Sequence, residues 1–201
     1  MRKFLEERLG KGSLKKIRSV KIGIAGCGGL GSNCACNLVR SGFIKLKIVD
    51  FDIVEVSNLN RQFFFLDQVN MSKVDALEAN LKRIDPEIEI DALQKRLTRT
   101  NIEEVFADCD IVVEALDEAE SKSTLVSSLV NKVKLVVTAS GVAGFGDSDN
   151  IRIRKIKRGL ILVGDLKTGT DKAPPLCPKV NIAAAKQADV VLEYVLKKEV
   201  A

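Results

Sequence analysis

The feature that most restricts the fold of this chain is a glycine-rich turn between a predicted strand and a predicted helix. Val20–Ala25 is an aliphatic run typical of a buried strand, and the sequence GCGGLG at Gly26–Gly31 follows it directly. A helical pattern then covers Leu30–Ser41. This order predicts the first unit of a Rossmann-type fold, in which the turn and the positive end of the helix face an anion.

The chain downstream keeps alternating between strands and helices. Strands are predicted at Leu46–Val49, Ile88–Ala92, Ile111–Glu114 and Leu135–Ala139, and helices at Ser72–Ile84, Asn101–Ala107 and Glu118–Val130. After Gly141 the pattern predicts an antiparallel pair at Ile151–Ile156 and Leu160–Val163, a loop at Gly164–Pro178 and a closing helix at Val180–Lys198. We therefore expect an α/β, Rossmann-like, doubly wound and mostly parallel sheet with a C-terminal antiparallel extension.

The composition supports a single globular unit. Hydrophobic residues make up 46% of the chain, aromatic residues only 4%, and Trp is absent, so the core must be aliphatic. Apolar residues recur at helical spacing in residues 1–19, so we expect a helical segment there that leads into the domain. We expect residues 20–201 to form one Rossmann-like domain.

Several classes of site and partner are excluded or disfavoured by composition. The chain has no His and no CxxC pair among its five Cys, which argues against a structural zinc site and excludes any His-based triad or general base. The net charge of +5 fits an anionic ligand or an acidic partner and does not indicate a nucleic-acid partner. No secretory signal or membrane-spanning run is visible, and the cysteine spacing is irregular, so we expect a cytoplasmic protein without a membrane partner.

The glycine turn and a downstream acid predict a nucleotide site. Gly26 allows the tight turn, Gly28 and Gly29 let backbone amides approach phosphate oxygens, and Gly31 allows close packing of the helix. Asp50 directly follows the second predicted strand, at close to the spacing of about 20 residues after the glycine turn that is typical of a ribose-binding acid. These residues fit NAD and ATP equally, so they leave the ligand open.

A polar segment after the second strand adds groups that favour a polyphosphate. Asp50–Gln62 has no strand or long-helix period; Asn58, Asn60 and Gln62 supply amides there, and Arg61 supplies a guanidinium fork suited to phosphate. Lys73, near the start of the next helix, brings a second cation that can reach the same phosphates.

These motifs together resemble one known family. GCGGLGS at 26–32, DFDIVEVSNLNRQ at 50–62 and MSK at 71–73 resemble the ThiF/MoeB/HesA superfamily, the bacterial relatives of ubiquitin-activating enzymes. The likeness continues to Val180–Ala188 and so covers nearly the whole chain. In its short length and its ending, the chain is similar to the compact ThiF-type sulfur-carrier adenylyltransferases of thiamine biosynthesis.

The resemblance implies an activity and roles for the residues. The enzyme would use ATP and Mg²⁺ to adenylate the C-terminal glycine carboxylate of a ubiquitin-like sulfur-carrier protein (ThiS-like), releasing pyrophosphate. The implied roles are ribose binding by Asp50, phosphate approach by Gly28 and Gly29, triphosphate contacts by Asn58, Arg61 and Lys73, magnesium binding by Asp117, and support of the site by Asp52. A homodimer is a further implication.

The proposed chemistry suits a chain without His. A carboxylate nucleophile is ionised at neutral pH, so the reaction requires no general base. Both reactants are anionic, and two cations with a metal ion would screen their repulsion. Two unit charges about 4 Å apart interact by about 4 kcal/mol at an effective dielectric constant near 20.

Other functions and roles remain open at this point. The sequence also fits an NAD(P)-dependent oxidoreductase, a non-catalytic nucleotide-binding partner, or an enzyme that adenylates another carboxylate, such as one on modified tRNA. Asp117 is also a candidate N-cap of the helix that follows it, and Asn58 and Asn60 are candidate turn residues. Cys177 has either no role or one in sulfur transfer. We expect the carrier's tail to lie near Gly141–Phe145, under the Gly164–Pro178 loop.

Overall fold

The computed structural model of this protein describes residues 1–169 and 172–197. The strands are β1 (Lys21–Ala25), β2 (Lys45–Asp50), β3 (Glu89–Gln94), β4 (Ile111–Glu114), β5 (Leu135–Ala139), β6 (Arg152–Lys157) and β7 (Leu160–Gly164). The helices are α1 (Arg2–Leu9), α2 (Lys11–Ser19), α3 (Gly29–Arg40), α4 (Lys73–Ile84), α5 (Ile102–Val105), α6 (Ala119–Leu129) and α7 (Cys177–Lys197). Lys198, at the end of the predicted closing helix, lies outside the described residues.

The strands form one seven-stranded sheet in the order β3-β2-β1-β4-β5-β7-β6. All neighbouring pairs are parallel except β6 and β7, which pair antiparallel at one edge. The predicted Rossmann-like sheet with an antiparallel extension is therefore confirmed. The strand order reverses direction between β1 and β4, and this is where open α/β sheets hold their ligands, outside the carboxyl ends of the strands.

Aliphatic side chains bury both faces of the sheet. Ile22 and Ile24 of β1 belong to a core that includes buried residues of α3, α4 and α7. Ala25 and Val112 belong to a second core with α5 and α6 on the opposite face. Because successive side chains of a strand point to opposite faces, β1 contributes to both cores and is fixed between two helical layers.

The N-terminal segment forms two helices that differ in burial. Gly10, with φ of 80°, separates α1 from α2, and Gly12 lies inside α2. Leu14 and Ile17 of α2 are buried, and Ile17 belongs to the core on the α3 face, whereas α1 buries none of its residues.

The closing helix begins earlier than its sequence predicts. Cys177 is the first residue of α7, so the assignment of Cys177 to a loop is wrong. Pro178 favoured a loop in the sequence, but proline is well tolerated in the first turn of a helix, where its missing N–H would have no partner. Among the described residues, no helix combines the length and apolar character needed to cross a membrane.

Candidate functional site

The glycine turn after β1 is pressed against the segment that follows β4. Gly26 has φ of 93°, and a Cβ atom there would lie 2.7 Å from the carbonyl oxygen of Ala115. A Cβ atom on Gly31 would lie 1.8 Å from the carbonyl oxygen of Gly26. Both positions therefore require glycine, and the turn sits at the point where the strand order reverses.

Gly28 is different because it faces open space. The nearest atom to an added Cβ there is Nε2 of Gln62, at 3.8 Å. Gln62 is only 8% exposed, and its Oε1 has no hydrogen-bond partner within the described part of the chain. A buried amide with an unused polar atom beside an open glycine is an arrangement that a polar ligand would complete.

Asp50 joins the end of β2 to the glycine turn. Its Oδ2 accepts a hydrogen bond from the Cys27 amide at 2.6 Å, and its Oδ1 accepts one from the Asp52 amide at 2.9 Å. Each carboxylate oxygen retains a further lone pair, so Asp50 can also accept hydrogen bonds from the hydroxyls of a ligand.

Lys73 presents a largely buried cation at the same edge. It is the first residue of α4, its side chain is 9% exposed, and its Nζ lies 2.7 Å from Oδ2 of Asp52. The Lys73 amide also donates to the Asp52 carbonyl at 2.9 Å. Asp52 therefore holds Lys73 in place, and its support of a nucleotide site stays a prediction.

Arg61 lies beside the glycine turn. Its Cγ is 3.4 Å from where a Cβ on Gly29 would lie, and Asn33 Nδ2 donates to the carbonyl oxygens of both Arg61 and Gly29. The Arg61 Nη1 donates to the Asn60 side chain at 2.7 Å.

Asn58 has a structural role in the polar segment. Its Oδ1 accepts a hydrogen bond from the Glu55 amide at 3.1 Å and closes a short 3-10 turn at Val56–Asn58. This matches its reading as a turn residue, and its contact with a triphosphate stays a prediction.

Asp117 lies on the turn that follows β4, two residues beyond the Ala115 carbonyl that touches Gly26. It is exposed, and the N-cap of α6 is Glu118, so the alternative role of Asp117 as the helix cap is wrong. Among the described residues no group of three or more His, Cys, Asp or Glu could hold a metal ion. Mg²⁺ is commonly held by one or two carboxylates together with substrate phosphates, so Asp117 fits that ion only alongside a nucleotide.

Glu114 is a site residue that the sequence did not single out. It is the last residue of β4, it is completely buried, and its carboxylate accepts hydrogen bonds from Thr138, from Lys122 and from the Leu116 amide. Acidic residues are rarely buried without partners. An acid at the end of an aliphatic strand was therefore the sequence signal by which Glu114 could have been identified.

The cysteine in the glycine turn is not a reactive thiol. Burial, and secondly the charge of Asp50, raises the pKa of Cys27 well above its usual value, although Lys73 opposes this. The thiol of Cys27 therefore stays protonated at neutral pH. Cys177 is half-buried, and its Sγ accepts a hydrogen bond from Asn181 at 3.2 Å.

The segment after β7 is anchored at its start. Asp165 accepts hydrogen bonds from the amides of Lys167 and Thr168 and from the Thr168 hydroxyl, and it pairs with Lys179 at 3.3 Å. Burial alone would raise the pKa of Asp165, but these donors outweigh it and hold the pKa well below its usual range.

The same segment contacts the glycine-rich stretch that follows β5. The amide of Gly144 donates to Pro174 at 2.9 Å, and the amide of Ala143 donates to Thr168 at 3.1 Å. The described part of the loop therefore lies directly on Ala143 and Gly144 through main-chain hydrogen bonds. A carrier tail placed between them would have to displace those bonds.

Most of the predicted site residues meet at one edge of the sheet. The residues linked there by direct contacts or hydrogen bonds are Gly26, Gly28, Gly29, Asp50, Asp52, Arg61, Gln62 and Lys73. Asp117 lies on the adjacent turn and has no hydrogen-bonded link to them among the described residues.

Known proteins are similar to this chain in sequence or in fold. The model of the ThiF family matches residues 2–158. The chain is 33% identical over 141 residues to SUMO-activating enzyme subunit 2 of Dictyostelium discoideum, covering 69% of this chain and 21% of that protein. It is 31% identical over 155 residues to the tRNA threonylcarbamoyladenosine dehydratase of Bacillus subtilis, covering 76% of this chain and 61% of that protein.

Ubiquitin-like modifier-activating enzyme 5 of Gallus gallus is 31% identical over 180 residues, covering 84% of this chain and 43% of that protein. The chain thus spans well under two thirds of the length of most of these relatives. The crystal structure of the E. coli tRNA N6-threonylcarbamoyladenosine dehydratase in complex with AMP superposes with a TM-score of 0.86 at 20% identity, covering 96% of this chain and 93% of that one. At that identity the superposition supports the fold alone.

Proposed function

This chain belongs to the ThiF family, and from that premise we propose that it uses ATP to adenylate the C-terminal glycine carboxylate of a small ubiquitin-like sulfur-carrier protein, as in thiamine biosynthesis. The observation that carries the proposal is that a glycine turn with free space at Gly28 lies at the same carboxyl edge of the sheet as the ion-paired ammonium group of Lys73. Gly28 leaves room for a phosphate, and Asp52 holds Lys73 at the same edge.

The described residues divide naturally among the parts of ATP. Asp50 would accept hydrogen bonds from the ribose hydroxyls, and the amides around Gly28 and Gly29 would face the phosphates. Arg61 and Lys73 would neutralise the leaving pyrophosphate. Asp117 would hold Mg²⁺ together with phosphate oxygens, and the ion would polarise those oxygens.

The reaction needs positioning and charge neutralisation more than proton transfer. A carboxylate oxygen of the carrier attacks the α-phosphorus, a new P–O bond forms, and the bond to the bridging oxygen of pyrophosphate breaks with its electron pair. Arg61 and Lys73 would stabilise that departing charge. No side chain must accept a proton, which suits a chain without His.

An NAD(P)-dependent oxidoreductase is less consistent with this site. Such an enzyme usually needs a proton donor near its substrate. The chain has no His and a single Tyr, and that Tyr194 donates a hydrogen bond to the Lys134 carbonyl, at the amino end of β5. The phenol therefore lies at the opposite edge of the sheet from the glycine turn.

A second substrate class is favoured by the comparisons. Relatives named as tRNA threonylcarbamoyladenosine dehydratases match most of this chain. The same adenylation chemistry could therefore act on a carboxylate of modified tRNA. Other relatives are named as enzymes that activate ubiquitin-like proteins, which supports the carrier as the first choice.

The decisive experiment is the exchange of radiolabelled pyrophosphate into ATP. We expect exchange that requires Mg²⁺ and a carrier protein ending in a free Gly-Gly carboxylate. Lys73→Ala should lower the exchange rate by about 10²-fold or more, because it removes a cation that acts on developing charge. Lys82→Ala, on an exposed turn of the same helix, is the matched control and should leave exchange unchanged.

Two results would redirect the proposal. Exchange driven by tRNA carrying a carboxylate, and not by a carrier protein, would transfer the proposal to the second substrate. Tight binding of NAD in preference to ATP would overturn adenylation altogether. The proposal includes a homodimer in the cytoplasm, which sedimentation equilibrium and fractionation of cells would test.

A further inference from the structure

Glu114 is the central acceptor of a hydrogen-bonded cluster at the end of β4, next to the proposed nucleotide site. Its Oε2 accepts the Thr138 hydroxyl at 2.5 Å, and its Oε1 accepts the Leu116 amide at 2.7 Å. Lys122 Nζ lies 3.0 Å from Oε1 and 3.2 Å from Oε2. The carboxylate is 0% exposed, so these donors replace all of its contact with water.

This cluster connects the two strand ends that flank the site. The Leu116 amide belongs to the turn between Ala115, whose carbonyl touches Gly26, and Asp117. Lys122 also donates to the Ala139 carbonyl at 3.1 Å, at the end of β5. The carboxylate therefore fixes the turn after β4 relative to the end of β5.

The hydrogen bonds of Lys122 define what it can do. Its ammonium group has three protons, and it faces three acceptors: both oxygens of Glu114 and the carbonyl of Ala139. These three acceptors can engage all three protons of the ammonium group. Lys122 therefore acts on the site through Glu114 and not by touching a ligand.

We propose that Glu114, together with Thr138 and Lys122, is a positioning unit that holds the turn 115–117 against the glycine turn in the geometry needed for adenylate transfer. A buried carboxylate is strongly unfavourable unless its partners are well placed, so the cluster has one favoured arrangement. That arrangement sets where Asp117 and the Ala115 carbonyl lie. The kinetic part of this inference rests on the proposed adenylation, whereas the structural part does not.

Hydrogen exchange of the Leu116 amide tests the positioning directly. In Glu114→Gln and in Thr138→Val, which is isosteric but lacks the hydroxyl, we expect this amide to exchange at least about tenfold faster than in the wild type. Thr138→Ser keeps the hydroxyl and should restore slow exchange. Amides of β2, on the far side of β1, should be unchanged in all three variants.

A buried lysine away from this cluster provides the control for general destabilisation. Lys47 of β2 is buried and pairs with Asp108 at 2.6 Å and Asp91 at 3.2 Å, towards the loop after α5. Lys47→Met should lower the melting temperature without changing exchange at Leu116. Equal acceleration at Leu116 in Lys47→Met, or none in Glu114→Gln, would overturn the positioning role.

Turnover separates positioning from mere stability. At a temperature where every variant is folded, Glu114→Gln and Thr138→Val should lower kcat for pyrophosphate exchange by about 10- to 100-fold, with the KM for ATP changed less than threefold. Thr138→Ser and Lys47→Met should keep kcat within about twofold of the wild type.

Wild-type kcat in Glu114→Gln would overturn the kinetic part of the inference. Absence of exchange in the wild type would instead overturn the proposed function, while the Leu116 measurement would still decide the positioning.

Discussion

At the scale of single residues, the glycine turn contains one position that has no space for a side chain and one that has. Gly31 lies inside α3, where alanine is normally better than glycine by about 1 kcal/mol. Its neighbour, the Gly26 carbonyl, leaves no space for a methyl group. Gly28 has φ of −74°, which any residue can adopt, and open space beside it. The glycine at position 28 is therefore not required by the fold, and the one at position 31 is.

Alanine substitutions at these two positions should have opposite effects. Gly31→Ala should lower the free energy of unfolding by about 2 kcal/mol or more, because overpacking outweighs helix propensity. Gly28→Ala should change it by less than about 0.5 kcal/mol. Gly28→Ala should instead weaken ATP binding by about tenfold, since the methyl group occupies the space that a phosphate would fill. Urea unfolding and calorimetric titration with ATP measure the two effects. Unchanged ATP affinity in Gly28→Ala would show that the open face of the turn is not the phosphate site.

At the scale of elements, a buried ion pair fastens the segment after β7 to the start of α7. Asp165 and Lys179 have side chains only 6% and 4% exposed, so water could not solvate either charge if the other were removed. A Cβ on Gly141 would lie 2.1 Å from Asp165 Oδ1, which brings the turn after β5 into the same contact. Three elements at the carboxyl edge therefore depend on one carboxylate.

Asp165→Asn should destabilise the protein in a pH-dependent way. At pH 7 the loss should be about 3 kcal/mol, because the charge of Lys179 is left buried and unpaired. The pKa of Asp165 in the folded state lies below its ordinary value of 3.8, so its stabilising effect is present above that value and is lost as the pH falls below it. The difference between wild type and variant should be constant above about pH 5 and shrink below about pH 4.

Urea unfolding of both proteins between pH 3 and pH 7 checks this prediction. Glu103→Gln, which removes an exposed ion pair with Lys132 at 3.1 Å, is the control and should cost less than about 1 kcal/mol. A difference at Asp165 that grows on acidification would contradict the assigned direction of its pKa.

At the scale of the whole molecule, sequence patterns predicted the sheet because they are local. The aliphatic runs, the glycine turn and the break at Asp85-Pro86 each act within a few residues, and they fix the element order. The Asp50–Lys73 segment was identifiable because polar residues interrupted that order at a strand end. The bonds of Glu114 to Thr138 and Lys122 were not predictable, since they depend on how two strand ends and a helix meet. The start of α7 was missed because Pro178 is compatible with both a loop and a first helical turn.

The absence of His from the whole chain gives a prediction for catalysis. No side chain of this protein has an unperturbed pKa between 5 and 8, and the carrier carboxylate is ionised throughout that range. We therefore expect kcat for pyrophosphate exchange to change less than about threefold between pH 6 and pH 8. A steady-state pH profile at saturating ATP measures this. A bell-shaped profile within that range would show that a proton transfer, absent from the proposed chemistry, limits the reaction.

The crowding of the glycine turn also narrows how this protein could change during evolution. A side chain at position 26 or 31 would collide with main-chain carbonyls, and one at position 29 would lie 2.9 Å from Val180 of α7. Of these four glycine positions, only position 28 has free space for a side chain, and we expect a side chain there to weaken nucleotide binding. New nucleotide preferences would therefore have to arise at residues beside the turn, such as Asp50 and Gln62, and a mutant library aimed at altered nucleotide use is best directed at those positions.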